Sequence, residues 1–161
     1  MLQRRYCHGS LIIDDQVLVF GGRTSNQNED IEDSVFFYNL TYDTSQNLNS
    51  LPYAVSNMTI VRYGDKAILI GVINVNGETL DVVLMYDLKT EECERLPPLN
   101  HKRYGCAAVI DRNIIVVVGG KNEEEYLDSV EYLNLREKVW KELPPMKTKR
   151  FLPTASLLPT V

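Results

Sequence analysis

One phrase recurs three times in this chain: a short apolar, mostly β-branched run that ends on glycine. Val17-Leu18-Val19-Phe20 runs into Gly21-Gly22, and Ile114-Ile115-Val116-Val117-Val118 runs into Gly119-Gly120. Between them Ala67-Ile68-Leu69-Ile70 runs into Gly71, with Val72 in the second glycine's place. The first glycines stand 50 and 48 residues apart. A fixed period of this size marks a repeat architecture, in which each unit buries its apolar face against the next. The runs are too short and too β-branched for amphipathic helices, so the expected class is all-β.

The third repeat is the clearest. Residues 104–110 read as a first strand, A, and 114–118 as a second, B, whose unbroken apolar character predicts burial on both faces. The glycine pair opens a polar loop over 121–128. Residues 129–135 alternate as strand C, and 139–143 form strand D with the single Trp140. Pro144-Pro145 ends strand pairing. In the second repeat strand C falls at 82–88 with Tyr86, strand D at 93–96, and Cys93 takes the Trp position. In the first, strand C falls at 34–40 with Tyr38. A longer C-to-D turn there places strand D at 48–51, with Leu48 in the Trp position. The repeats are delimited as 5–53, 54–101 and 102–149 within one domain of residues 1–161. Arg5-Tyr6 and Arg103-Tyr104 each lie 16 residues before a first glycine. Arg150-Phe151 repeats the pair, so 150–158 reads as strand A of an incomplete fourth repeat.

Strand, Gly-Gly, Tyr-Asp, Trp, Leu-Pro-Pro-Met and Arg, in this order and period, resemble the kelch repeat, most closely that of BTB-kelch proteins, whose BTB and linker domains are absent here. The structural signature is Gly21, Gly22, Gly71, Gly119, Gly120, Tyr38, Tyr86 and Trp140, the aromatic members being expected as blade core. The resemblance implies a partial β-propeller: three four-stranded antiparallel blades plus one extra strand, with strand A nearest the channel. Three blades are too few to close a ring, since closed propellers use about four to eight. The expected outcomes are a homodimer completing six blades, a piece of a longer protein, or a weakly stable chain.

Alternating strand direction puts the B–C loops and D–A connections on one face, where loops carry function. The B–C loops are acidic: residues 23–33 (Arg23 against Glu29, Asp30, Glu32 and Asp33), 74–81, and 121–128 (Lys121 against Glu123, Glu124, Glu125 and Asp128). The D–A connections are basic. The expected site is therefore a basic channel mouth with an acidic fringe, formed by Arg5, Arg103 and Arg150, steered by Lys102 and Lys149, and walled by Tyr6 and Tyr104. Its expected ligand is a protein or peptide segment, acidic or phosphorylated, because arginine presents a bidentate fork to carboxylate and phosphate. The resemblance implies a non-catalytic substrate-recognition module of the ubiquitin-ligase adaptor type. An actin-binding kelch protein and a propeller fragment without independent function are the alternatives.

The net charge of −5 disfavours nucleic-acid and anionic-membrane partners. Cys7, Cys93 and Cys106 have no metal-binding or disulfide spacing, which fits reduced thiols and a cytoplasmic setting, with Cys7 and Cys106 expected buried. His8 and His101, the only histidines, belong to no zinc or nucleophile motif, so no enzyme, metal or cofactor is expected.

Overall fold

A computed structural model describes residues 3–27 and 30–158. Among these residues twelve strands form three four-stranded antiparallel sheets, each a meander in chain order. Blade 1 is β1 (Gly9–Ile13), β2 (Gln16–Phe20), β3 (Val35–Asn39) and β4 (Thr44–Leu48). Blade 2 is β5 (Thr59–Tyr63), β6 (Lys66–Ile73), β7 (Thr79–Asp87) and β8 (Cys93–Leu96). Blade 3 is β9 (Ala107–Asp111), β10 (Ile114–Val118), β11 (Val130–Asn134) and β12 (Val139–Leu143). Neighbouring blades approach through their first strands, β1 to β5 and β5 to β9, as strands nearest a common axis would.

Two apolar layers hold the blades together. Leu18, Phe20 and Val35 of blade 1 meet Ala67, Leu69, Leu84 and Tyr86 of blade 2. Ile68, Ile70 and Val83 of blade 2 meet Ile115, Val117, Leu133 and Trp140 of blade 3. Strand β6 feeds both layers by simple alternation, so it is buried almost throughout. Strand β10 is covered on one face only: Ile115 and Val117 are buried, whereas Ile114, Val116 and Val118 are half-buried. The burial expected on both faces of residues 114–118 is thus met on one, because no blade packs on the far side. Tyr38 is corrected for the same reason. It lies half-exposed on the open face of blade 1, its hydroxyl donating to Asp43, while Tyr86 and Trp140 are buried.

The glycine phrase works through close approach. A Cβ on Gly21, Gly71 or Gly119 would meet the carbonyl of Val55, Arg103 or Arg150 at 2.4, 2.9 or 2.6 Å, the connection to the following blade in each case. All three glycines have positive φ. Val72 replaces a second glycine that elsewhere sits at φ 98°, so β6 runs on through a bulge and pairs Val72 with Leu80 and Ile73 with Thr79. The second B–C loop is shortened accordingly.

Strand D of blade 1 is Thr44–Leu48, not 48–51, and Ser45 opposite Tyr38 holds the place of Trp140 opposite Leu133. Asn39 explains the shorter turn: its Oδ1 accepts the backbone N–H groups of Thr41 and Tyr42 at 2.9 and 3.0 Å and closes it. The polar strand Thr-Ser-Gln-Asn-Leu is tolerated because it is an edge. The extra strand expected over 150–158 is also corrected. Residues 150–158 form no ladder, and strand A pairs only with its own strand B in each of the three blades described.

The connections form a staircase. Asn57 N–H donates to Cys7 O (2.8 Å), Gly105 N–H to Asn57 O (3.1 Å) and Leu152 N–H to Gly105 O (2.9 Å). All four residues have left-handed backbones, with φ of 54°, 62°, 58° and 51° in chain order. Residues 150–152 therefore already sit as the lead-in to a further blade.

Candidate loop-face interaction site

Two of the three arginines expected at the channel mouth, Arg5 and Arg103, point into the blades instead. Arg103 is fully buried and donates to His101 O (3.2 Å), Gly119 O (2.8 Å), Ser129 O (3.3 Å), Ser129 Oγ (2.9 Å) and the Glu131 carboxylate. Glu131, equally buried, also accepts the N–H groups of Asn100 (2.7 Å) and His101 (3.2 Å), so each charge is matched and hydrogen-bonded. Arg5 repeats the arrangement in blade 1, donating to Gly21 O (3.0 Å) and Ser34 Oγ (2.6 Å), with Glu32 at 3.9 Å and the Phe36 ring at 5.2 Å. Its pKa is lowered by burial, partly offset by Glu32 and Asp33. Neither guanidinium is presented to a ligand. Arginine is placed here by the carbonyl ending strand B and the serine heading strand C, a set that five fixed N–H donors fit. Arg150 is exposed, and its side chain has no partner among the described residues.

The cations that reach the loop face stand one residue earlier, at Arg4, Lys102 and Lys149, all exposed. Lys102 and Lys149 mesh with the acidic loops. Lys149 donates to Glu125, a bond that raises the Lys149 pKa. Lys102 lies near Glu78 and Glu123 and helps lower both carboxyls. The larger cause at Glu78 is hydrogen bonding from Asn74 and Asn76, and at Glu123 it is the N–H of Thr79, which reaches the carboxylate at 2.6 Å across the blade junction. The expected separation into basic centre and acidic fringe is therefore not what forms. With Arg5 and Arg103 withdrawn, the acidity concentrates in the B–C loops, at exposed Asp33, Glu78, Glu123, Glu124 and Glu125, while exposed Arg4, Lys102, Lys147, Lys149 and Arg150 stand on the connections between them. Glu29, counted in the first loop, lies outside the described residues.

Aromatic side chains also gather on this face. The residue after each buried arginine pairs its backbone with the residue after the glycine pair, Tyr6 with Arg23 and Tyr104 with Lys121. The Tyr6 hydroxyl donates to Ser25 O (2.6 Å) and Asn26 Oδ1 (2.9 Å), which ties down the first loop. In blade 3 the Tyr104 and Phe151 rings meet edge-on at 5.5 Å. Tyr126, 50 % exposed, lies 5.7 Å beyond Phe151 with the Lys121 ammonium 5.3 Å above its ring. Sequence reasoning missed Lys121 and Tyr126. The signal available for Lys121 was the cation directly after Gly-Gly, shared with Arg23.

The three thiols are free. Cys106 is buried and its pKa is pushed up to about 12, while half-buried Cys93 is raised to about 11, both chiefly by burial. Cys7 is exposed, against expectation, because its register matches Gly105 on the staircase rather than Cys106. Among the described residues no three His, Cys, Asp or Glu side chains are grouped to hold a metal, and no helix is long and apolar enough to cross a membrane.

Comparison with known proteins agrees with this architecture. Kelch-like protein 40 of Xenopus tropicalis is 34% identical over 146 residues, covering 86% of this chain and 24% of that protein. F-box/kelch-repeat protein At1g26930 of Arabidopsis thaliana is 26% identical over 146 residues, covering 88% of this chain and 33% of its own length. The chain thus spans a quarter to a third of these relatives. The solved structure of YjhT superimposes with a TM-score of 0.76 at 17% identity, over 91% of this chain and 54% of that one. The profile of the KLHDC2/KLHL20/DRC7 Kelch-repeats domain matches residues 1–157, and the chain belongs to the kelch-repeat family.

Proposed function

We propose that this kelch domain recognises a protein partner on the face formed by its B–C loops and D–A connections, without chemistry of its own, as the substrate-recognition part of a BTB-kelch-type ubiquitin-ligase adaptor. One observation carries the reading: an aromatic step, half-buried Tyr104 with exposed Phe151 and Tyr126, stands among acidic loops on that face. Aromatic side chains give large rigid contact area, and a rim of one sign steers and orients an oppositely charged segment. The partner is a segment with an apolar side chain for the step and basic residues for Glu123, Glu124 and Glu125. The buried positions of Arg5 and Arg103 disfavour an acidic or phosphorylated ligand there.

Affinity capture with the 161-residue chain tests this. Glu123→Gln with Glu124→Gln and Glu125→Gln, or Tyr126→Ala, is expected to abolish capture of specific partners, while Lys102→Glu with Lys149→Glu preserves it. Loss with the lysine variants and retention with the glutamate variants restores the acidic-peptide mode. Co-sedimentation with filamentous actin, unaffected by either set, points to a cytoskeletal role.

A further inference from the structure

We propose that two copies of this chain close one ring, residues 154–158 of each pairing with β2 of the other in place of that copy's own β1. Both open faces carry matching halves of a junction that the chain builds twice internally. At the first, the Tyr86 hydroxyl donates to Asn49 O; at the second, Trp140 Nε1 donates to Pro97 O, both at 2.8 Å. Asn49 and Pro97 each follow strand D directly. In the same register Pro144 follows β12, at the edge of the open face. The missing donor stands at the other end of the chain. Tyr38, opposite Ser45, holds in blade 1 the place that Tyr86, opposite Cys93, holds in blade 2.

Charge complementarity names the second copy as the occupant. At the junction of blades 2 and 3, Lys138 pairs with Glu94 at 3.4 Å. Asp43 occupies the place of Lys138, both left-handed and directly before strand D. Lys141, opposite Tyr132, occupies the place of Glu94, opposite Met85. Blade 1 docked on blade 3 therefore re-forms this pair with its signs exchanged. One pair opposes it: Asp111 and Asp15 fall where Tyr63 and Asn113 hydrogen-bond at 2.7 Å. Both aspartates are exposed, where water and salt screen the repulsion.

Strand exchange follows from the staircase. Leu152 already holds the seat that Cys7 of an incoming blade 1 would need, so one lead-in must leave. Beyond it Thr154-Ala155-Ser156-Leu157-Leu158 pairs with no strand among the described residues, and Leu157 and Leu158 are 54 % and 86 % exposed. Arg150, without a partner among the described residues, would take the Gly21 carbonyl and Ser34 hydroxyl that Arg5 holds. The seat is open: a cleft of about 930 Å³ borders Val118, Met146, Arg150 and Leu152. On the far face a hollow of about 290 Å³ borders Val17, Val19, Phe36 and Tyr38. Exchanging one A strand for another keeps β2 paired while covering both open faces, and a two-fold arrangement closes the ring, with the displaced β1 of each copy left outside it. The chain spans 54% of the YjhT propeller, so two copies match one such ring in length.

Light scattering on the full chain is expected to give twice 18.4 kDa. Asp43→Lys or Lys141→Glu alone should weaken the dimer about tenfold, and the two together should restore it. Both sites are exposed, so folding is retained. In a Cys7→Ser background, Ala155→Cys with Val19→Cys should form an intermolecular disulfide, because Ala155 falls at Ser10, which lies opposite Val19. A folded 18.4 kDa species, a concentration-dependent series of larger species, or a dimer lacking this crosslink or indifferent to the charge exchange overturns the proposal.

Discussion

Blade 2 and the end blades share one sequence pattern and live in different surroundings. In blade 2 the strand-B run is sealed on both faces, whereas β10 in blade 3 is sealed on one, although its run is more apolar. Tyr86 and Tyr38 occupy equivalent places; the first is fully buried with its hydroxyl on Asn49 O, the second half-exposed with its hydroxyl on Asp43. A repeat thus encodes the shape of a blade, while its neighbours decide how much of that blade counts as core.

Substitutions on junction and open faces put this to the test. The largest effect is expected at Glu131→Ala, which strands the buried Arg103 guanidinium and should cost about 3–5 kcal/mol. Glu32→Ala, at the partly exposed counterpart beside Arg5, should cost no more than about 1 kcal/mol. Urea unfolding of the two variants reads the difference, and equal costs would break the contrast. Next, Leu69→Ala at the first junction should cost about 2–5 kcal/mol, against about 1 kcal/mol for Val116→Ala on the open face. Tyr86→Phe leaves Asn49 O without its donor and should cost about 1 kcal/mol. Tyr38→Phe should stay within about 0.5 kcal/mol when unfolding is measured at dilutions where the chain is a single copy.

The smallest effect is one of pH. Asn39, Asp87 and Asn134 close the same C–D turn through backbone N–H groups, and only blade 2 uses a titrating residue. Hydrogen bonds from Lys66, then from the N–H groups of Lys89 and Thr90, hold the Asp87 carboxyl down at about 2 from an ordinary 3.8. Folding therefore gains from the ionised form above pH 3.8, and loses that gain as pH falls toward 2. Asp87→Asn should flatten the stability profile across that window. Thermal melts at pH 5 and pH 2.5 check it: the wild type should lose more Tm between them than the variant.

Strand order and the glycine phrase were legible because local chemistry alone decides them. Continuous β-branched runs favour strand pairing, and Ile114–Val118 forms its strand over the span its sequence suggests. Strand D of blade 1 was misread because Leu48 was aligned on the Trp position by its bulk. The Asn39 side chain that shortens the turn is a hydrogen-bonding effect invisible to a hydrophobic pattern. The direction of Arg5 and Arg103 was illegible for a different reason. A basic residue beside a loop reads as exposed until the serine and carbonyls that receive it, 16 to 29 residues away, are brought together by the fold.

The staircase of left-handed connections has a kinetic consequence. Its hydrogen bonds join residues 50, 48 and 47 positions apart, so every step spans one repeat and none spans the chain. The loop that must be closed to add a blade is the same size each time, and its entropy grows only slowly with length. Assembly can then begin at either internal junction and spread outward, with a search time set by the repeat rather than by the number of blades.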